Sequence, residues 1–223
     1  MKITFKDSLK GEKGEVLFVS VDSKNKDEIV KENGVKTLYL KCDEKMTLRK
    51  FYLLVRKMVS MVKNTKARSF AFNFSDFKFS SVKISDVELG EIIGTQLDFA
   101  NYEFTLYKTP PKEGFNSIKE VFILGADKPA RNATHSVAGG EIQKAILKGN
   151  IIADEVNKTR SLSNTSGGDM TPSVLAQKAK EAVKGLSVTV KVLGEKEMAK
   201  LKMGAILAMG RGSDEESKFI IME

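Results

Sequence analysis

Between residues 15 and 124 the spacing of apolar residues switches back and forth between two periods, and this constrains the fold more than any other feature. Glu15-Val16-Leu17-Phe18-Val19-Ser20-Val21 is a short apolar run rich in β-branched residues, as in a strand covered on both faces. Val35-Lys36-Thr37-Leu38-Tyr39-Leu40 reads as a second strand. Leu48, Phe51, Tyr52, Val55, Met58, Val59 and Val62 then recur at three- and four-residue steps, so residues 48–63 form an amphipathic helix with Thr47 as its cap. Its outer face carries Arg49, Lys50, Arg56, Lys57 and Lys63. Ser69–Phe74 returns to strict alternation and places Phe70, Phe72 and Phe74 on one face of a strand. Ser85 and Glu88 form a capping box for a helix with the stripe Leu89, Ile92, Ile93, Leu97 and Ala100. Residues 102–107 and the turn-forming Thr109-Pro110-Pro111 lead to a strand at Ile118–Leu124. Strands alternating with helices predict an α/β domain in which helices cover a mixed sheet.

Beyond it a long helix is expected, from about residue 135 to Leu162, with Ile142, Ala145, Ile146, Gly149, Ala153 and Val156 on one stripe. Gly167-Gly168-Asp169 ends it, and Thr171-Pro172 starts another helix by supplying an N-cap and a proline in the first turn. Val174, Leu175, Ala179, Ala182 and Val183 give that helix only a weak stripe. A strand at Val188–Val192, a charged helix at Glu195–Leu201 and two further apolar strands, Gly204–Met209 and Phe219–Met222, complete the reading. The expected organisation is an N-terminal domain at 1–134, a connecting helix at 135–164 and the start of a second domain at 165–223. A sheet built from the last pieces alone would keep open edges and an unfilled core, so the second domain reads as truncated.

Composition narrows the function classes. The chain of 223 residues is 41% apolar and 30% charged, with one cysteine, Cys42, which excludes an internal disulfide framework. No signal peptide is visible in Met1–Asp7 and no window approaches the roughly 20 apolar residues of a membrane span, so a cytoplasmic protein without membrane contact is expected. Of the +8 formal charge, +7 falls up to Asn150 (26 Lys and Arg against 19 Asp and Glu) and +1 after it (11 against 10). The lysines are scattered among acids, as on a solvated surface, but the excess also raises a basic nucleic-acid-binding module as the alternative function.

No residue pattern carries catalysis. Gly210-x-Gly212-Ser213 lacks the spacing of a phosphate loop and reads as a turn. His135, the only histidine, and Cys42 have no further ligands near them in sequence, which argues against zinc; Cys42, with Lys41 and Lys45 close by, has no identifiable partner base. Asp214-Glu215-Glu216 reads as a solvated run rather than a metal site. The phenylalanines at 70, 72, 74, 77 and 79 read as core rather than as a base-stacking platform.

One resemblance is specific. Asn157-Lys158-Thr159-Arg160-Ser161-Leu162-Ser163-Asn164-Thr165, followed by Asp169-Met170-Thr171-Pro172-Ser173-Val174-Leu175-Ala176, resembles the junction of the leucyl (cytosol) aminopeptidases, the M17 metallopeptidases. The likeness continues through Val188–Val192, Leu193-Gly194-Glu195-Lys196-Glu197-Met198 and Met203-Gly204-Ala205-Ile206-Leu207-Ala208-Met209-Gly210-Arg211-Gly212-Ser213. It implies a macro-domain-like three-layer N-terminal domain followed by an incomplete α/β catalytic domain. It further implies a full-length parent that removes N-terminal amino acids from peptides with two divalent metals, manganese or zinc, as a homohexamer. The family's metal and catalytic motifs do not occur here, so catalytic, metal and cofactor-binding residues in this chain are expected to be none, and its role is expected to be scaffolding and oligomer contacts. A macro-domain-like fold also suggests, by analogy alone, an ADP-ribose-type ligand.

Overall fold

The computed structural model describes residues 1–10, 16–22, 26–32, 34–43, 45–126 and 140–223. They fall into two compact units, Met1–Asn157 and Lys158–Glu223.

In the first unit six strands form one sheet: β1 (Lys2–Lys6), β2 (Leu17–Asp22), β3 (Glu28–Glu32), β4 (Val35–Lys41), β5 (Ser69–Asn73) and β6 (Glu120–Leu124). Their order is β1-β6-β5-β2-β4-β3, parallel throughout except for the β3–β4 hairpin. The mixed α/β class with a mostly parallel sheet is therefore the one the alternating periods predict. The central strands β5 and β6 are apolar on both faces, burying Phe70, Ala71 and Phe72 in one and Val121, Phe122, Ile123 and Leu124 in the other.

α1 (Leu48–Asn64) and α2 (Asp86–Asn101) pack against each other and over Leu17, Val19, Leu38, Leu40, Phe70, Phe72, Val121 and Ile123 of the sheet. Both start where the sequence says: the Thr47 side chain accepts from the Lys50 amide at 3.3 Å, and the Ser85–Glu88 capping box is complete. α1 buries Phe51, Leu54, Val55, Met58, Val59 and Val62 along one side. The start of β6 is delayed to Glu120 because the Ile118 amide and carbonyl are both taken by the Asn101 side chain at the end of α2. Phe74 leaves the β5 ladder to open a short 3-10 turn, Phe74–Phe77, and is buried there instead.

α3 (Glu141–Asn164) crosses α2 at glycines. Gly90 and Gly94 of α2 lie against Ile142 and Ile146, and Gly149 lies against Glu91 and Thr95. Its buried stripe is Ile142, Ala145, Ile146, Gly149, Ala153 and Asn157. Val156, assigned to that stripe by periodicity, is exposed; Asn157 takes the inward place and donates from Nδ2 to the Asp98 carbonyl at 3.1 Å. The side-chain amide adds a second hydrogen bond to this carbonyl, which already accepts from the Tyr102 amide at 3.0 Å.

The second unit holds α4 (Pro172–Ala182), β7 (Val190–Leu193), α5 (Glu195–Lys200), α6 (Gly204–Gly210) and β8 (Phe219–Met222). Thr171 caps α4 and Pro172 occupies its first turn, as expected. Gly204–Met209 is helical rather than a strand: among its six residues only Ile206 is β-branched, and Ala, Leu and Met favour helix. β7 and β8 pair antiparallel and form the whole of the second sheet.

Two strands absent from the sequence reading, β1 and β3, are the two edges of the large sheet. Both carry charge, Lys2 and Lys6 in one and Glu28 and Lys31 in the other, as edge strands do to discourage further pairing.

Candidate functional site

The residues singled out in the sequence do not converge. His135 lies outside the described residues. Cys42 is buried just after β4, beside a surface pocket of about 200 Å³ lined also by Lys41, Asp43, Met46, Lys50, Leu54 and Lys57. Two of the three lysines that line this pocket are paired with carboxylates. Lys57 pairs with Asp27 at 2.6 Å and Lys50 with Asp43 at 2.8 Å. Burial pushes the Asp27 carboxyl up, but the Lys57 hydrogen bond, the Lys41 amide at 2.9 Å and the two lysine charges together hold it below its usual value. The Lys50 hydrogen bond likewise lowers Asp43.

Phe70, Phe72, Phe74 and Phe77 are all fully buried, with the Phe72 and Phe77 rings edge-to-face at 4.9 Å and Phe51 against Phe77 at 6.3 Å. They build the core, as their alternation suggests, and offer no open ring face to a base.

Gly210 closes α6, and a Cβ there would stand 1.9 Å from Ser217 Oγ, so close packing accounts for this glycine. The Ser213 amide returns to the Gly210 carbonyl at 3.0 Å, which makes Gly210–Ser213 a turn. Glu216, in the acidic run, accepts from the Glu195 amide at 3.4 Å and pairs with Lys218 at 2.6 Å; the Lys218 hydrogen bond lowers its carboxyl. Among the described residues no group of three His, Cys, Asp or Glu side chains comes together that could hold a metal ion.

An open cleft of about 670 Å³ is lined by Lys66, Arg68, Glu103, Lys112, Glu113 and Asn116 among others. No sequence signal marks it, because residues 66–68 and 103–116 meet only through tertiary contacts. Lys66 adopts a left-handed conformation, φ 61°, just after α1 and pairs with Glu113 at 3.1 Å. Arg68 donates to the carbonyls of Phe115 at 2.9 Å and Glu113 at 3.2 Å, so its guanidinium pins the loop. Lys108 and Lys63 both reach Glu103, at 3.0 and 3.8 Å, and the Lys108 hydrogen bond is the main cause lowering that carboxyl. Its lining carries the cations Lys66, Arg68 and Lys112 against the carboxylates Glu103 and Glu113, and includes no serine, cysteine, threonine or histidine.

What the geometry defines is a mostly parallel α/β domain followed by a small second unit. The model of the cytosol aminopeptidase family's catalytic domain matches residues 157–223. A probable cytosol aminopeptidase of Rickettsia bellii is 32% identical over 198 residues, 87% of this chain and 37% of that protein. Another, from Saccharophagus degradans, is 28% identical over 179 residues, 80% of this chain and 34% of that protein. In fold, the chain is similar over its whole length to half of a tomato leucine aminopeptidase variant, with a TM-score of 0.78 at 18% identity. The bottromycin maturation enzyme BotP in complex with Mn superposes on 94% of this chain and 45% of that one, with a TM-score of 0.72 at 16% identity. The match to the cytosol aminopeptidase family, M17, lies at residues 157–223, and the chain spans about a third of the length of the curated relatives it matches. Among the described residues no helix is long and apolar enough to cross a membrane.

Proposed function

We propose that this chain serves a cytosolic leucyl-type aminopeptidase as its N-terminal α/β domain together with the opening segment of its catalytic domain. The complete enzyme removes N-terminal amino acids from peptides, and this portion contributes scaffolding and oligomer contacts. One observation carries the reading: the segment that matches the family's catalytic domain, 157–223, is a unit whose buried apolar side chains are only Ala176, Leu193 and Met198. A unit of that size cannot sustain itself on so small a core, and its two-stranded sheet is marginal without neighbours. It has the character of part of a larger domain.

The two divalent metals of such an enzyme, manganese or zinc, do not fit the residues described here, which supply no ligand set. No metal-assisted step is therefore assigned to this chain, and the metal ligands belong to the remainder of the enzyme.

The test is hydrolysis of leucine amide by the purified 223-residue chain with Mn²⁺ or Zn²⁺ added. No turnover is expected, and measurable turnover that survives repurification would overturn the assignment. Intact mass of the natural product in its source cells provides the complementary readout: a mass about twice 24.6 kDa supports the reading, and 24.6 kDa counts against it.

A further inference from the structure

Residues 102–119, between α2 and β6, hold no helix or strand, yet they are fastened at several points to the end of α2, the end of α1 and the approach to β5. The Asn101 side chain takes both backbone groups of Ile118, Asn116 Nδ2 donates to the Lys63 carbonyl, and Arg68 holds the carbonyls of Glu113 and Phe115. A connection longer than about 12–15 residues without secondary structure is uncommon in a compact domain, and an ordered one is characteristically a binding loop. Together with residues 63–68 it carries Lys63, Lys66, Arg68, Lys108, Lys112 and Lys119 against Glu103 and Glu113, so half of the chain's +8 formal charge gathers here. Part of that charge has no counter-charge. Arg68 meets carbonyl oxygens rather than a carboxylate, and Lys112, exposed in the cleft, takes part in none of the ion pairs around it. Beside these cations the same loop exposes Leu106 at 64% and Tyr107 at 54%, with the Phe104 ring edge-to-face on Tyr107 at 5.7 Å.

We infer that the cleft between residues 66–68 and 103–116 is a docking site for an extended acidic segment of a partner protein, with Leu106 and Tyr107 receiving an apolar side chain next to its carboxylates. The occupant follows from the mixed signs of the lining. Phosphodiesters of a nucleic acid or a lipid surface only accept hydrogen bonds, and Glu103 and Glu113 in the same cleft repel them. A peptide brings carboxylates for Lys112 and the remaining N–H groups of Arg68, and it brings amide N–H groups for the two glutamates. Depth points the same way: a cleft of about 670 Å³ takes in side chains, whereas a flat bilayer reaches only the exposed part of the loop. Contacts of this size, resting on exposed charge, give weak and salt-sensitive binding. Such docking does not require peptidase activity in the complete enzyme, so the hydrolysis test above leaves it untouched.

The test is fluorescence anisotropy of a short peptide of glutamates and leucines, labelled with fluorescein at its N-terminus and amidated at its C-terminus, titrated with the whole chain. Saturable binding is expected that weakens as salt rises toward physiological strength, and that falls when glutamine replaces every glutamate or serine every leucine. Lys112→Glu and Leu106→Asp should each weaken it by about threefold to tenfold, while Lys144→Glu, which reverses an exposed lysine on α3, should leave it unchanged. All three positions are exposed, and circular dichroism checks that the variants fold. Absence of saturable binding overturns the proposal. So does an equal loss with Lys144→Glu, which would assign the attraction to diffuse charge. Tighter binding of a single-stranded oligothymidine or of phosphatidylserine vesicles, at equal charge concentration, would overturn it in favour of a nucleic acid or a membrane.

Discussion

A Cβ placed on Gly94 would stand 2.0 Å from the carbonyl oxygen of Ile146, so α2 and α3 touch backbone to backbone at this point. A Cβ on Gly149 would likewise stand 2.1 Å from the Glu91 carbonyl oxygen, and the Thr95 hydroxyl donates to that carbonyl at 2.7 Å with the Gly149 carbonyl 3.3 Å away. Gly94→Ala gains helix propensity of about 1 kcal/mol but must force the helices apart. The net expected loss is roughly 1–3 kcal/mol in urea unfolding of the first unit. Gly90→Ala, whose nearest neighbour is 3.1 Å away, should change stability much less. Equal effects of the two would show that the crossing is not the tight contact described.

The second prediction concerns pH. Asp27 is held below its ordinary value, so the folded state keeps this carboxylate ionised to lower pH than the unfolded chain does. Its contribution is fully present above the unfolded value of about 3.9 and disappears as the pH falls through the lower folded value. Lys57 and Asp27 are both about a third exposed, so solvent screens the pair and its coupling should be about 0.2–1 kcal/mol in a double-mutant cycle at neutral pH. At a pH below both values, Asp27→Asn should cost nothing. A penalty that persists there would assign the effect to packing rather than charge.

The features legible in sequence are those set by neighbours along the chain. Thr47, Ser85 with Glu88, and Thr171 with Pro172 each announce a helix start because the bond they make lies within one turn. The edge strands β1 and β3 were hidden because an edge strand is kept charged, which erases the apolar run that reveals a central strand. Gly204–Met209 misleads because a short apolar segment fits either period, and only its residue types favour helix. The exchange of Val156 for Asn157 at the buried stripe could not be read, since it depends on the Asp98 carbonyl, 59 residues away. The same holds for the cleft, whose lining is assembled from the residues just after α1 and those between α2 and β6. The family junction from Asn157 onward was legible because its elements follow one another in one reading frame.

The basic balance of the first 150 residues invites a test with nucleic acid. Lys2, Lys50, Lys57, Lys63, Lys66, Lys78, Lys108 and Lys148 are each paired with a carboxylate, which leaves much of the charge compensated at the surface. Any attraction to duplex DNA at low salt is therefore expected to be lost by physiological ionic strength, as titration by fluorescence anisotropy would show. Binding that survives at physiological salt would restore the nucleic-acid-binding module as the leading function.

The last prediction separates the two units. The first has a core of packed phenylalanines beneath two capped helices, whereas the second leaves Leu186, Leu201 and Met222 exposed, with Met209 88% exposed. In the second sheet each strand has one neighbour, so backbone groups along both outer edges meet water or an incoming strand. Opening of a region with few buried apolar contacts takes little free energy, and its amides exchange accordingly. Hydrogen exchange in the isolated chain should therefore be fast at Val190–Leu193 and Phe219–Met222 and slowest at Phe70–Phe72 and Val121–Ile123. On the function proposed above, the β7 and β8 amides are expected to slow by orders of magnitude in the complete aminopeptidase, where further strands and core would cover them. Strong protection of β7 and β8 in the 223-residue chain alone would mean that the second unit is stable by itself, and the scaffold reading would lose its main support.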